Sequence, residues 1–288
     1  MIRLQKLLAQ SGLGSRRTIE EWIRNGRVTV AGHVARLGDR ALPGDDIRLD
    51  GRKLELAGTP PTAEVLLYYK PLGEVTTRRD PQGRPTVFER LPPPRQGRWI
   101  TVGRLDVNTS GLLLFTTDGA LAHRLMHPSG ELEREYLVRL RGSPGADVIG
   151  RLLEGVSLDD GPARFERIIA MDERRPAGGC DRRRRDGHTT LRVVLREGRN
   201  REVRRLWESV GFEVSRLLRI RYGPVELPRD MRPGMARPAD PGLIGRLEAG
   251  GRPHTGGALE PPASPLTATS KPKQPAGAKG RQKGAYRE

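Results

Sequence analysis

Two short apolar runs, Val65-Leu66-Leu67-Tyr68-Tyr69 and Leu112-Leu113-Leu114-Phe115, constrain this 288-residue chain more than any other feature. Each reads as a strand buried on both faces, which requires packed layers above and below it. Further strands are expected at residues 135–140, 191–195 and 214–222. Between them, Asp118 is placed to cap a helix through Leu121, Ala122 and Leu125. A later helix starts near Asn200, carries Val203, Leu206, Trp207 and Val210, and stops at Gly211. Helices and strands interleave, yet no Gly-rich phosphate loop follows the first strand. The expected fold class is α+β, a mixed, largely antiparallel sheet flanked by helices.

That sheet segment, residues 63–234, is one of three. Residues 1–58 form a small module before it, joined by the linker Gly58-Thr59-Pro60-Pro61-Thr62. In the module, Leu4, Leu7 and Leu8 share a helical face that ends at Ser11-Gly12-Leu13-Gly14. Ser15 is a plausible N-cap for a second helix with the stripe Ile19, Trp22, Ile23, and Gly26 is placed to end it. Arg16, Arg17 and Arg24 fall outside the stripe, where they can face a phosphate backbone. Short strands follow at residues 27–30 and 47–49. Within the sheet segment, residues 174–185 read as a basic hairpin or loop containing Arg182-Arg183-Arg184-Arg185, either an RNA contact or a solvated insertion. Residues 236–288, with 9 Lys+Arg against 4 Asp+Glu and much Pro and Gly, read as a disordered basic tail.

Charge bounds the partner. The chain has 52 Lys+Arg against 35 Asp+Glu, a formal +17 with pI near 11.0, and so basic a surface attracts polyanions. Nucleic acid leads. An anionic membrane is the weaker reading, since there is no spanning run, no long amphipathic basic helix and no lipidation motif. With Cys180 as the single cysteine, an intrachain disulfide and cysteine-based zinc motifs are excluded. His123 and His127 are four apart on a helix, but no third ligand is evident, so no metal is expected. The N-terminus lacks a signal-peptide layout, and a cytoplasmic location fits best.

The chemistry centres on Asp106. Gly103-Arg104-Leu105-Asp106-Val107-Asn108-Thr109-Ser110-Gly111 leads into the second apolar run, so an acid sits on a loop at the mouth of a buried strand. Alone, such an acid is more often a turn or cap residue. The whole run from Gly103 to Leu114, however, resembles the catalytic signature of the RNA pseudouridine synthases. Three more motifs occur in that family's order. Lys70-Pro71-Leu72-Gly73 resembles the early motif, Glu133-Arg134-Glu135-Tyr136-Leu137-Val138 the strand with the active-site tyrosine, and Leu195 to Arg205 the late basic motif. The N-terminal module is similar to the RNA-binding module named after ribosomal protein S-four, through Lys6-Leu7-Leu8-Ala9, Gly14-Ser15-Arg16-Arg17 and Gly26-Arg27-Val28. The combination resembles the ribosomal RNA branch of the family, its large-subunit members most.

The resemblance implies isomerisation of a uridine to pseudouridine in ribosomal RNA, with Asp106 as nucleophile and no cofactor. Departure of the base leaves positive character on the ribose, which a carboxylate stabilises or traps. Arg204 is the candidate ion-pair partner that keeps Asp106 ionised. Tyr136 is the candidate platform for the flipped base and for moving the C5 proton. Lys70 and Pro71 are expected to support the aspartate loop. Arg104, Arg199 and Arg201 join Arg16, Arg17 and Arg24 as candidate RNA contacts. One departure stands out, Glu202 where the family usually has Gln, an acid that disturbs the site if it lines the cleft. The alternatives are a synthase for small-subunit ribosomal or transfer RNA, a non-enzymatic ribosome-assembly factor that would not need Asp106, and a methyltransferase, which the missing cofactor loop disfavours. A monomer suffices.

Overall fold

The computed structural model describes residues 1–56, 63–171 and 187–249, all within one compact unit. The N-terminal module follows its apolar spacing. β1 (Ile2–Arg3) runs into α1 (Leu4–Gln10), which buries Leu4, Leu7 and Leu8. Ser15 caps α2 (Arg16–Arg24) by accepting from the Thr18 N–H at 3.0 Å, and Gly26 takes the left-handed conformation just past the helix end, with φ of 69°. β2 (Val28–Val30), β3 (His33–Val34), β5 (Ile47–Leu49) and β6 (Arg52–Lys53) form a four-stranded sheet in the order β3-β2-β5-β6, while β4 (Arg40–Ala41) pairs with β1. Ile19, Ile23, Val28 and Ile47 close a core with the α1 leucines. The expected linker at residues 58–62 lies outside the described residues.

The second region is one nine-stranded sheet. Its first strands are β7 (Val65–Lys70), β8 (Ile100–Val102) and β9 (Ser110–Thr116), followed by α3 (Gly119–Met126). Asp118 caps α3, accepting from the Ala120 N–H at 2.7 Å. Next come β10 (Arg134–Arg141), α4 (Ala146–Glu154), the hairpin β11 (Val156–Leu158) with β12 (Gly161–Ala163), β13 (Arg167–Ala170) and β14 (His188–Leu195). α5 (Glu202–Glu208), β15 (Val214–Tyr222), β16 (Val225–Glu226), β17 (Ala236–Pro238) and α6 (Pro241–Glu248) complete the chain order. The sheet runs β13-β14-β10-β15-β9-β7-β17, with β8 on β9 and β16 on β15. Every ladder is antiparallel except β15 with β9.

The two apolar runs are therefore neighbours, Leu67 facing Leu114 and Tyr69 facing Leu112. Both faces are covered as expected. One layer gathers Tyr68, Phe115, Val138, Phe165, Leu206 and Trp207. The other gathers Leu67, Leu112, Leu114, Leu121, Leu125 and Leu247. Trp207 is fully buried between Phe165 and Phe212, at ring-centroid distances of 5.7 and 6.2 Å.

One boundary is corrected. The disordered tail expected from Ala236 does not start there, because residues 236–249 complete the sheet domain. β17 pairs with β7 at the sheet edge, where Pro238 costs no ladder bond. Asp240 caps α6 through the Leu243 N–H at 2.8 Å, and Pro241 occupies its first turn. Leu243 and Leu247 then pack with the leucines of α3. The rest of that segment and the Arg182-Arg183-Arg184-Arg185 run lie outside the described residues.

Candidate active site

The loop between β8 and β9 delivers Asp106 to the middle of the sheet, where the one parallel ladder sits. There β15 crosses β9 so closely that Gly111, at φ of 110°, has no room for a side chain. A Cβ would lie 2.2 Å from the Arg219 carbonyl oxygen. The loop is a tight turn closed by the Thr109 N–H donating to the Asp106 carbonyl at 3.0 Å. Asp106 is half-buried and lines an open pocket of about 450 Å³ with Arg104, Tyr136, Arg201, Glu202 and Leu217.

Two buried cations brace this loop from below. Lys70, at the end of β7 and fully buried, donates from Nζ to the Thr109 carbonyl at 2.9 Å and to that of Pro71 at 3.0 Å. Burial brings its ammonium down to about 8, against the opposing pull of Glu74 and Asp106. Arg204, on α5, donates to the Asn108 carbonyl at 2.8 Å and to the Val214 carbonyl at 2.7 Å. The expected ion pair between Arg204 and Asp106 is not formed among the described residues. Both terminal nitrogens of the guanidinium go to backbone carbonyls, one of them that of Asn108 in the loop. Asp106 still acts on Arg204 through space, opposing the lowering that burial and Arg201 impose. Both cations thus hold the loop's shape and put positive charge beneath the carboxylate. A third latch comes from Thr76, whose hydroxyl donates to the Leu105 carbonyl at 2.8 Å. Nothing in the spacing of residues 70–77 singled out Thr76.

Tyr136 lies on β10 with 9% of its surface exposed, at the pocket wall. The β10–β15 register shifts between Glu135 and Tyr136, the kind of irregularity that re-aims a side chain beside a site. Beneath it Tyr222 is held between Arg134 and Arg219, at 5.1 and 5.0 Å from its ring centroid. Its hydroxyl donates to the Leu125 carbonyl at 2.8 Å.

The turn before α5 forms the opposite wall. Arg201 caps α5 in the left-handed region at φ of 50°, a conformation that costs a non-glycine residue roughly 1–3 kcal/mol and recurs at functional sites. Glu202 does line the cleft, but it is 4% exposed, and one carboxylate oxygen accepts from the Arg199 N–H at 3.0 Å. Burial pushes its carboxyl above the ordinary value, with that N–H bond opposing. It closes the turn in the manner of a capping side chain. Arg199, expected to contact RNA, lines the pocket and is also tied down. It reaches Glu197 at 2.6 Å and the Pro162 carbonyl at 2.8 Å, which straps the turn to the β11–β12 hairpin. Arg205 makes a two-pronged pair with Asp160 of the same hairpin, at 2.9 and 2.8 Å. Arg104, Arg199 and Arg201 are the expected RNA contacts that line this pocket. Arg16, Arg17 and Arg24 do not line it.

A family model described as RNA pseudouridylate synthase matches residues 64–209, and one described as S4 domain matches residues 2–47. The chain belongs to the RNA pseudouridylate synthase family, with an S4 domain at its N-terminus. "Ribosomal large subunit pseudouridine synthase B" of Shigella flexneri is 54% identical over 236 residues, covering 81% of this chain and 77% of the relative. The protein of that name from Xylella fastidiosa strain Temecula1 is 52% identical over 239 residues, covering 81% of this chain and 48% of the relative. The chain thus spans about half the length of several curated relatives it matches. A crystal structure described as pseudouridylate synthase superposes with a TM-score of 0.59 at 26% identity, covering 86% of this chain and all of that one. No helix among the described residues is long and apolar enough to cross a membrane.

Proposed function

We propose that the chain isomerises a uridine of large-subunit ribosomal RNA to pseudouridine, with Asp106 as nucleophile. The observation that carries this reading is that Asp106 and Tyr136 line one pocket, with the Asp106 loop braced by the buried cations Lys70 and Arg204. The relatives named as large-subunit enzymes support the choice of RNA. A uridine inside folded RNA is out of reach of Asp106, so the nucleotide flips out, at a cost of a few kcal/mol. Stacking on the Tyr136 ring recovers part of that, about 1–3 kcal/mol. The bond from ribose to uracil N1 then breaks, and the Asp106 carboxylate meets the positive character left on the sugar. The base turns and rejoins through C5, and the C5 proton leaves with help from the Tyr136 phenol. The C5 proton is lost and N1 gains one, so nothing enters or leaves overall. Lys70 and Arg204 are positioning residues, and Arg104, Arg201 and the arginines of α2 supply the grip on the RNA backbone.

An Asp106→Asn protein is expected to bind large-subunit ribosomal RNA with wild-type affinity and to make no pseudouridine. Retained activity in that variant would overturn the assignment. Mapping pseudouridine in ribosomal RNA from cells with and without the gene identifies the target. A site lost from small-subunit or transfer RNA alone would overturn the choice of substrate.

A further inference from the structure

A second cleft lies in the sheet domain, beside the place where the S4 domain touches it, and no acid lines it. The turn after α1 touches the sheet domain here, since a Cβ on Gly12 would sit 2.8 Å from the Gly97 Cα. Beside Gly97, Arg98 enters a cleft lined also by Thr77, Arg78, Phe88, Trp99 and Thr101. Arg78 lies 4.4 Å above the Phe88 ring and donates to the Trp99 carbonyl. Arg98 has no hydrogen-bond or ion-pair partner among the described residues, and its Nε is sealed from water without an acceptor. Burial lowers the Arg98 pKa, followed by the like charges of Arg78 and of Arg16 on α2. No carboxylate lines the cleft. By contrast, Arg84, from the same connection as Arg78, makes a two-pronged pair with Asp80 at 3.0 and 2.8 Å.

We infer that this cleft, between Arg78 and Arg98, docks a phosphate of the RNA backbone. The guanidinium fork suits phosphate oxygens, and an anion between Arg78 and Arg98 offsets like charges that no acid in the cleft matches. The site shares a wall with the active site, because Thr76 of this cleft latches Leu105, the residue before Asp106. A phosphate held here therefore lies one latch away from the loop that carries Asp106. The inference rests on RNA being the substrate.

The test measures binding of a large-subunit ribosomal RNA transcript to the full chain carrying Asp106→Asn, across a range of salt. Adding Arg98→Gln is expected to weaken binding about tenfold and to lower the slope of log affinity against log salt by about 1. Arg98→Lys keeps the charge and recovers most of the slope, and Arg84→Gln changes neither quantity. With Asp106 restored, the Arg98→Gln loss falls in KM and leaves kcat at saturating RNA unchanged. Wild-type affinity and slope in a folded Arg98→Gln protein overturn the inference. So does a melting-temperature rise with inorganic phosphate that Arg98→Gln abolishes while RNA binding stays intact, since the cleft then takes free phosphate. A wild-type chain that makes no pseudouridine sinks the proposed function instead, whatever the variants bind.

Discussion

The arginines of the α5 turn and those at the S4 seam both come from basic stretches of sequence, yet they have opposite fates. At the turn, Arg199 and Arg205 close on Glu197 and Asp160 and strap two elements together. At the seam and the pocket mouth, Arg98 and Arg104 meet no acid among the described residues. A third kind lies between these, the buried cations Lys70 and Arg204, whose partners are backbone carbonyls. Their charge is hydrogen-bonded but not neutralised, so it remains available to the carboxylate above. A formal charge of +17 therefore overstates the unmatched positive surface and understates the field beneath Asp106.

Removing a buried brace is expected to have the largest effect. Lys70→Met keeps the volume but leaves the Thr109 and Pro71 carbonyls without their donor, which costs about 3 kcal/mol of stability. Activity should fall more than about 100-fold, since the loop that aims Asp106 relaxes. Urea unfolding and single-turnover kinetics measure the two losses. The same lysine sets a pH signature. Its folded pKa of about 8 lies below the ordinary 10.5, so the unfolded chain binds more protons between those values. Stability accordingly rises with pH across that window. Activity moves the other way, falling as pH passes about 8 and the charge under Asp106 is lost. A wild-type rate profile with no limb near 8 breaks the distinction drawn for buried cations.

Arg204→Met comes next. It gives up the Asn108 and Val214 carbonyls but leaves the Lys70 brace, so about a 100-fold fall in kcat with little change in RNA affinity is expected. A larger loss in affinity than in kcat would place Arg204 with the RNA-facing arginines.

These partners also mark where sequence reading stopped. The loop carrying Asp106 was legible because two local signals agree, a Gly-bounded polar turn and a fully apolar strand behind it. Ser15 and Asp118 were legible as caps, since capping needs only the neighbouring N–H groups. Arg204 was assigned to the wrong acceptor because which carbonyl it meets depends on how α5 packs across the sheet, 96 residues away in sequence. Arg98 carried no signal at all, being one arginine among many until two domains came together. α6 was hidden by its composition, although Asp240-Pro241 followed by Leu243 and Leu247 does hold a cap and an apolar stripe.

Charge-removing pairs sharpen the comparison at smaller effect. Arg104→Gln at the pocket mouth is expected to reduce the salt slope of RNA binding by about 1. Arg205→Gln at the turn leaves that slope unchanged, because its charge is already matched by Asp160. Equal slopes in the two variants would erase the difference between free and strapped arginines.

The smallest effect is expected at Glu202, the position that looked most threatening in sequence. An ionised acid facing the same pocket as Asp106 would repel substrate phosphates, and replacing it by Gln would then raise RNA affinity markedly. The geometry argues otherwise. One Glu202 oxygen is occupied by the Arg199 N–H, a bond that a Gln carbonyl accepts equally well, and Arg199 and Arg205 offset the charge from the same turn. Glu202→Gln should therefore change kcat and KM by no more than about twofold at neutral pH, against the about tenfold per 1.4 kcal/mol that a lost interaction produces. Stability carries the clearer sign. The folded pKa lies above the ordinary 4.5, so the charged form is penalised in the native chain and the wild type loses stability as pH rises through that interval. Glu202→Gln lacks this dependence, so its melting temperature relative to wild type should be higher at pH 7 than at pH 4. A melting-temperature difference that is the same at both pH values would mean that Glu202 titrates as freely as a surface carboxylate.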